Sequence, residues 1–532
     1  MPNTIKYNTG TEANALGVGD WYIGTHDVSK GPTSSTGFYN GINPPSGGYT
    51  IYLNKGEGGP SIAVPSSDAD LISQTNGITG ESLTTINQCF SYFAGQSDKM
   101  VMNEPIAQTS TQDLVMFFDS NNVISYAQTG GTAYDISNNT NNADLKNGLT
   151  TVNGIFVFDG VDDYARVQND SSLSGWGTAQ TIAVWMYHTV TSNRRVIWNQ
   201  AYGGFGTWTH ESGNSISNYY GNAGGNSQPY VGQGSSTTPT SQWNLNITTR
   251  STTTQKWYQN GVNTRTNTNP YGTLASTTAA IDIGYGYTGN YWVGRMSRIM
   301  AWDAELTAAQ VSAIWYGGPI VTSDLTLAFN ARVLGSFEDG DSTVNSLAGT
   351  LTGTLTNGVG WNNEGGGTWD LDGVDDFISI STYTFGNGNF AVSMWVNADD
   401  MGSPNLLSNT SGGPVANAFG FGSNKIHYRN YDGAWQLHNG NTTLSTGTWY
   451  HLTWVNYAGA SASEGTMKMF VNGVVDSSAF NSYVTNGGPC NAIGSSWFNK
   501  FNGRIASVQF YDESLTDAQV AQNYYANVNQ YN

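Results

Sequence analysis

The sequence predicts a mainly β protein, built as two antiparallel β-sandwiches in tandem, each closed by a short helix, behind a small N-terminal α+β segment. Three observations predict it. A phrase occurs twice, as Phe158-Asp-Gly-Val-Asp-Asp-Tyr164 and Leu371-Asp-Gly-Val-Asp-Asp-Phe377, with cores 213 residues apart counted from Asp159 to Asp372. The same series of strand-like runs surrounds each copy in the same order. The composition joins 66 Gly and only 11% charged residues to 13% aromatics, including 17 Trp and 30 Tyr. Gly supplies the backbone angles that many turns need, and a disordered polar chain would lack the aromatics. At 532 residues the chain exceeds one core. The expected divisions are an extended N-terminal arm at 1–48, a small α+β domain at 49–110, and sandwiches at 111–318 and 319–532.

The N-terminal elements are read as follows. Gly31 to Gly37 and Asn43 to Gly48 are turn and linker material. Tyr49-Thr-Ile-Tyr-Leu53 reads as a strand. Ser66–Ser73 reads as a helix with a serine N-cap and Gly77 as its stop. Thr84–Phe93 reads as a second helix, with Ile86, Cys89, Phe90 and Phe93 on one face. Lys99–Met102 is read as a returning strand.

The two large copies then run in parallel. Leu114–Phe118 matches Leu325–Phe329, 211 residues on. After the repeated phrase come Thr181–Met186 and Phe390–Val396, apolar strands carrying Trp185 and Trp395. Trp243–Ile247 matches Trp449–Trp454. Lys256–Val262 matches Lys468–Val474, and both hold Asn-Gly between strand-like runs, a strong hairpin signal. Ile281–Gly284 matches Asn491–Gly494, and Gly294–Asp303 matches Gly503–Asp512. Each copy closes with Leu-Thr-x-x-Gln, at 306–310 and 515–519. There the threonine hydroxyl and the glutamine side chain can satisfy free helix amides reciprocally, and Leu306 and Leu515 can staple onto Val311 and Val520. The period is far too long for a solenoid. The joint is expected near Gly317–Ser323.

Charge and cysteine usage exclude several roles. A net charge of −19 would be repelled by nucleic acid and by an anionic membrane surface. No apolar run approaches the roughly 18 residues of a spanning helix, so no membrane insertion is expected. Two cysteines, Cys89 and Cys490, fall in different expected domains. Two free, buried thiols are therefore expected, and no disulfide framework. The N-terminus, Met1-Pro-Asn-Thr-Ile-Lys6, carries no apolar signal region, so synthesis and first folding in a cytoplasm are expected.

With these motifs in place, the chain resembles the concanavalin A-like, laminin-G-like jelly rolls over roughly residues 110–318 and 322–529. The resemblance implies two-sheet sandwiches of a kind that often bind glycans or proteins, with some enzymes among them. Gly48–Lys55, Gly59–Ile62 and Cys89–Lys99 are similar to the start of structural proteins of large tailed marine phages. That resemblance implies a virion component, made in the host cytoplasm and located in the virion. Residues 1–110 would dock on other virion proteins, and the sandwiches would be displayed as a homo-oligomer or in many copies towards a host-surface glycan.

Candidate chemistry is sparse. Asp162, Asp163, Asp375 and Asp376 could hold Ca²⁺, since hard cations take several carboxylate oxygens. The preferred reading is a tight Asp-Gly hairpin turn capped by the following aspartates. No other cofactor is indicated. Sandwich glycosidases need two carboxylates flanking the scissile bond. No Glu-x-Asp-x-x-Glu strand is present, and only Glu305 and Glu513 recur between copies. None of His188, His210, His427, His438 and His451 recurs, and no Gly-x-Ser-x-Gly elbow occurs. A non-enzyme is therefore expected, with a glycan-degrading enzyme or a cellular adhesin as the alternatives. Aromatic rings can cover the apolar faces of sugars. Trp198, Tyr202 and Trp208 in the first copy, and Tyr428, Tyr431 and Trp435 in the second, have that composition. The competing reading of all six is sheet and core packing.

Overall fold

The computed structural model describes the strands Ile5–Asn8, Trp21–Thr25 and Tyr49–Leu53 and most of residues 113–531. The three N-terminal strands form one sheet. Ile5–Asn8 pairs parallel to Trp21–Thr25, which pairs antiparallel to Tyr49–Leu53. Tyr49–Leu53 is the strand expected there. The helices expected at Ser66–Ser73 and Thr84–Phe93, the strand at Lys99–Met102 and the thiol of Cys89 lie outside the described residues.

Each large copy is a sandwich of two antiparallel sheets, and the two copies share one strand order. In the first, one sheet runs Val262–Asn267, Gln255–Gln259, Trp243–Arg250, Gln180–His188, Val293–Trp302, Ile155–Asp159, Thr150–Val152. In the second, the corresponding sheet runs Val474–Val475, Gly465–Val471, Trp449–Ala458, Phe390–Ala398, Asn502–Tyr511, Thr368–Asp372, Gly360–Asn362. The strands Leu114–Phe118 and Leu325–Asn330 join these sheets beside Val293–Trp302 and Asn502–Tyr511, and Phe480–Ser482 adds a ninth strand to the second, beside Gly465–Val471. The opposing sheets have eight strands each, from Thr132–Ala133 to Tyr230–Gln233 and from Thr343–Asn345 to Trp435–Asn439.

The central strands explain why the repeated apolar runs do not alternate with polar residues. Successive side chains point to opposite faces of a strand. Ile182, Val184 and Met186 point into the first sandwich, while Ala183 and Trp185 point outwards. The outer face is covered as well, by the helix Ala308–Tyr316, so both sets are buried. Phe390, Val392, Met394 and Val396 fill the second core, and Trp395 lies outside it against Tyr524 and Tyr531. Trp185 stacks on Trp315 of the first helix at 5.4 Å.

Both helices start as the sequence predicts. Thr307 Oγ1 accepts from the Gln310 amide at 3.2 Å, and Gln310 Oε1 accepts from the Thr307 amide at 2.8 Å. Thr516 and Gln519 repeat the arrangement ahead of Asp517–Tyr525. Leu306 and Val311 share one apolar cluster, as do Leu515 and Val520. Lys256 binds Glu305 in the turn before the first of these helices at 2.8 Å, and Lys468 binds Asp517 at the start of the second at 3.1 Å, tying each sheet to its helix end. Asn260-Gly261 and Asn472-Gly473 sit at hairpins with positive φ throughout, as the two-residue turn demands.

The two sandwiches share a core. Behind the first sheet, Trp315 and Ile314 pack with Ala328, Val333, Leu347 and Ala348 of the second copy. The Trp315 indole donates to Leu347 O at 2.9 Å. Among the described residues no helix is long and apolar enough to cross a membrane.

Candidate functional site

The repeated acidic phrase is a corner, and the hairpin expected there is not formed. Ile155–Asp159 belongs to one sheet and Tyr164–Val167 to the other, and the same holds for Thr368–Asp372 and Phe377–Thr384. The chain crosses between sheets, so no ladder of strand hydrogen bonds closes the turn. Carboxylates close it in their place. Asp159 Oδ1 accepts from the amides of Val161 (2.7 Å) and Asp162 (3.3 Å), and Asp163 Oδ2 accepts from the Asp159 amide at 3.0 Å. Asn147 Nδ2 donates to Asp162 O at 2.9 Å from the neighbouring turn. In the second copy Asp372, Asp376 and Asn357 make the same bonds within 0.1 Å.

Each corner gathers three carboxylates, Asp159, Asp162 and Asp163 or Asp372, Asp375 and Asp376, with donor atoms within 4.8 Å of one another. This is oxygen chemistry that suits Ca²⁺, which takes six to eight oxygens. One oxygen of the first and of the third aspartate is already bound to backbone amides, so the turn uses part of the set itself. Burial pushes the carboxyls of Asp163 and Asp376 above their usual range, with the neighbouring aspartates adding to it. Amides of the turn, that of Val374 first, pull Asp372 below it.

The aromatic candidates divide. Trp198 and Tyr428 are fully buried, within the cores of the first and second sandwiches. Neither ring has a face open to a sugar, so for these two the packing reading is the right one: their strands belong to the eight-stranded opposing sheets and turn these rings into the cores. Trp208, Tyr431 and Trp435 lie in the strands Phe205–Thr209, Lys425–Tyr431 and Trp435–Asn439. Tyr202 lies outside the described residues. The recurring glutamates serve the fold: Glu305 binds Lys256, and Glu513 accepts from Asn389 Nδ2 at 2.7 Å.

A cleft of about 560 Å³ lies where the two sandwiches meet. Its first wall is the end of the first sheet, with Tyr187, Trp243 and Arg295. Its second is the opening segment of the second copy, around residues 334–352. The Arg295 guanidinium lies 4.1 Å from the Tyr187 ring centre and 5.1 Å from that of Trp243. It ion-pairs with Glu338, whose other oxygen accepts from the Trp243 indole at 2.8 Å. Sequence reasoning missed this cleft, because its residues come from six separated stretches and only the packing of the two copies brings them together. Trp243 and Arg295 stood inside recognised motifs, but no spacing ties them to Glu338.

The family comparison agrees with the fold. Residues 159–312 and 372–521 each match the family described as the concanavalin A-like lectin/glucanases superfamily. The chain belongs to that superfamily. Comparison with curated proteins returns no match. Among solved structures the chain is similar to domain 4 of AbnA, a GH43 extracellular arabinanase from Geobacillus stearothermophilus, in complex with arabinotriose. That likeness has 18% identity and a TM-score of 0.30, covering 38% of this chain and 100% of that one. It is also similar to the receptor-binding domain of botulinum neurotoxin mosaic serotype C/D, at 12% identity and a TM-score of 0.37, over 76% of this chain and 98% of that one. A third likeness is to the botulinum neurotoxin serotype D ligand-binding domain in complex with N-acetylneuraminic acid, at 11% and 0.33, over 78% and 98%. At such identities and scores these likenesses do not reach ligand or activity.

Proposed function

We propose that this chain is a virion structural protein of fibre, whisker or capsid-decoration type, displaying two lectin-like domains that adhere to a host-surface glycan. The observation that carries the adhesive part of the reading is the repetition of a lectin/glucanase-superfamily sandwich on one chain. Residues 1–110, with their likeness to the leaders of tailed-phage structural proteins, would dock on other virion proteins, and the displayed part would begin near residue 111. Presentation in several copies lets weak sites add through effective concentration. Trp208, Tyr202, Tyr431 and Trp435 are the proposed sugar-binding aromatics. The experiment is mass spectrometry of purified particles together with a glycan array probed with the full chain. Finding the chain in particles and bound to glycans is the expected result. Absence from particles overturns the virion role. Release of new reducing ends from a bound polysaccharide overturns the adhesive role in favour of glycan degradation.

A further inference from the structure

We propose that the cleft between the two sandwiches is a binding site for a neutral oligosaccharide. The inference rests on the adhesive reading above and assigns it a place and a ligand class. Four features carry it. The first is size: about 560 Å³ falls within the range of small-ligand sites, roughly 300–1,000 Å³, and junctions between domains are where such sites concentrate.

The second is a floor that is already organised. Arg295 is held between two rings and Glu338, and both oxygens of Glu338 have partners on the first sandwich. The backbone amide of Glu338 donates to Asp341 Oδ2 at 3.0 Å, which fixes the wall of the second sandwich. Polar groups held in place before a ligand arrives lose little freedom on binding. Each sandwich supplies one wall, so the site is incomplete in either alone.

The third is the lining. Exposed amides and hydroxyls of Gln242 and Ser241 face the cleft from one side, and those of Thr343, Asn345 and Thr352 from the other. Such groups both donate and accept, which matches the edge of a sugar. Lipid chains and apolar helices would leave these groups unpaired, at a cost for each.

The fourth is charge. Arg295 is the one cation among the described lining residues, and Glu338 neutralises it. Asp341 is exposed and leaves the cleft negative, on a chain of net charge −19. A sialylated or uronic glycan would meet a carboxylate with no cation to spare, whereas a neutral one meets only hydrogen-bonding groups.

The test uses the full chain on an array of neutral hexose and N-acetylhexosamine oligosaccharides beside sialylated and uronic ones. Three proteins are compared: the wild type, the double variant Gln242→Ala with Asn345→Ala, and Asp341→Lys. The altered residues are exposed, and unchanged melting midpoints establish that the variants are folded. The expected results are neutral-glycan binding by the wild type, a loss of tenfold or more in the double variant, and a gain of sialylated over neutral binding in Asp341→Lys. Wild-type binding that neither variant alters places the sugar elsewhere and overturns the cleft assignment, while the adhesive reading stands. Wild-type preference for acidic glycans overturns the neutral class. A wild type that binds no glycan overturns the adhesive reading and the cleft assignment together.

Discussion

His451 shows how a single buried side chain sets a pH dependence for the whole second sandwich. It lies on the central strand Trp449–Ala458, 1% exposed, with its ring 5.3 Å from that of Trp395. Its Nε2 shares a hydrogen bond of 2.9 Å with Ser393 Oγ, which also bonds Thr453 Oγ1 at 2.7 Å. Burial pushes the imidazole down to about 3 from its ordinary 6.5. The sign follows from proton uptake. Below pH about 6.5 the unfolded chain binds a proton that the folded chain refuses, so stability present above 6.5 is lost as pH falls. The loss is about 1.4 kcal/mol per pH unit for this group until the folded value is reached. Burial lowers His427 and His438 too, and both act in the same direction. Urea unfolding at pH 7 and pH 5.5 should therefore show weaker folding at the lower pH. His451→Gln should flatten that slope by about 1.4 kcal/mol per unit, while being less stable at pH 7. An unchanged slope in the variant would mean that the imidazole is not kept neutral. The sequence places His451 inside the Trp449–Trp454 run but does not say which face of that strand it occupies. Its burial comes from the helix that covers the outer face of the sheet.

At the scale of elements, the corner turn and the strand Asn502–Tyr511, which pairs with the strand leading into it, make opposite demands on the chain. In the corner, carboxylates take the place of a hairpin ladder, so removing Asp372 leaves the amides of Val374 and Asp375 without their acceptor. Asp372→Ala should lower the melting midpoint, as losing a cap does. Excess calcium followed by chelator should leave the melting midpoint where it was, since the turn holds its own bonds. A rise of several degrees with calcium would instead make these carboxylates an ion site. Gly503 opens the strand Asn502–Tyr511 at φ +139°, and a Cβ there would lie 2.3 Å from Asn397 O of the neighbouring strand. Gly503→Ala should therefore cost about 3 kcal/mol or more, by strain and a backbone clash, against about 1 kcal/mol for the exposed cap variant Thr516→Ala. Chemical denaturation of the two variants measures the difference. These elements were legible where the buried residues are apolar on both faces. Gln180–His188 and Phe390–Ala398 are buried on both faces and read as apolar runs. The strands Ile216–Tyr220 and Thr352–Thr356 of the opposing sheets are rich in Ser, Asn, Thr and Gly, and nothing in their patterning announced them. The acidic phrase was legible as a turn but not as a crossover, because a turn residue does not say which sheet receives the next strand.

At the scale of the molecule, the copies are joined more tightly than a tandem repeat read from sequence implies. Domains within one chain move relative to each other unless their interface is large and apolar. Here the helix Ala308–Tyr316 is shared: it covers the first sheet and receives residues 328–348 of the second copy. Trp315 sits at the centre, 7% exposed, stacked on Trp185 and bonded to Leu347 O. Arg298 donates to Arg332 O at 3.1 Å, and Arg332 donates to Gly317 O at 3.1 Å, so polar bonds cross the same joint in both directions. A shared apolar core makes unfolding of one sandwich expose surface of the other, which couples their transitions. Calorimetry of the full chain should accordingly show one transition for both sandwiches. Trp315→Ala should remove about 3–5 kcal/mol, the usual cost of truncating a buried tryptophan, and should split the trace into two. The same variant loosens the wall that holds Arg295 against Glu338, so it should also weaken any ligand of the cleft, although Trp315 presents no polar group to it. Two separate transitions in the wild type would mean that the sandwiches fold independently, and the cleft between them would then have no fixed width.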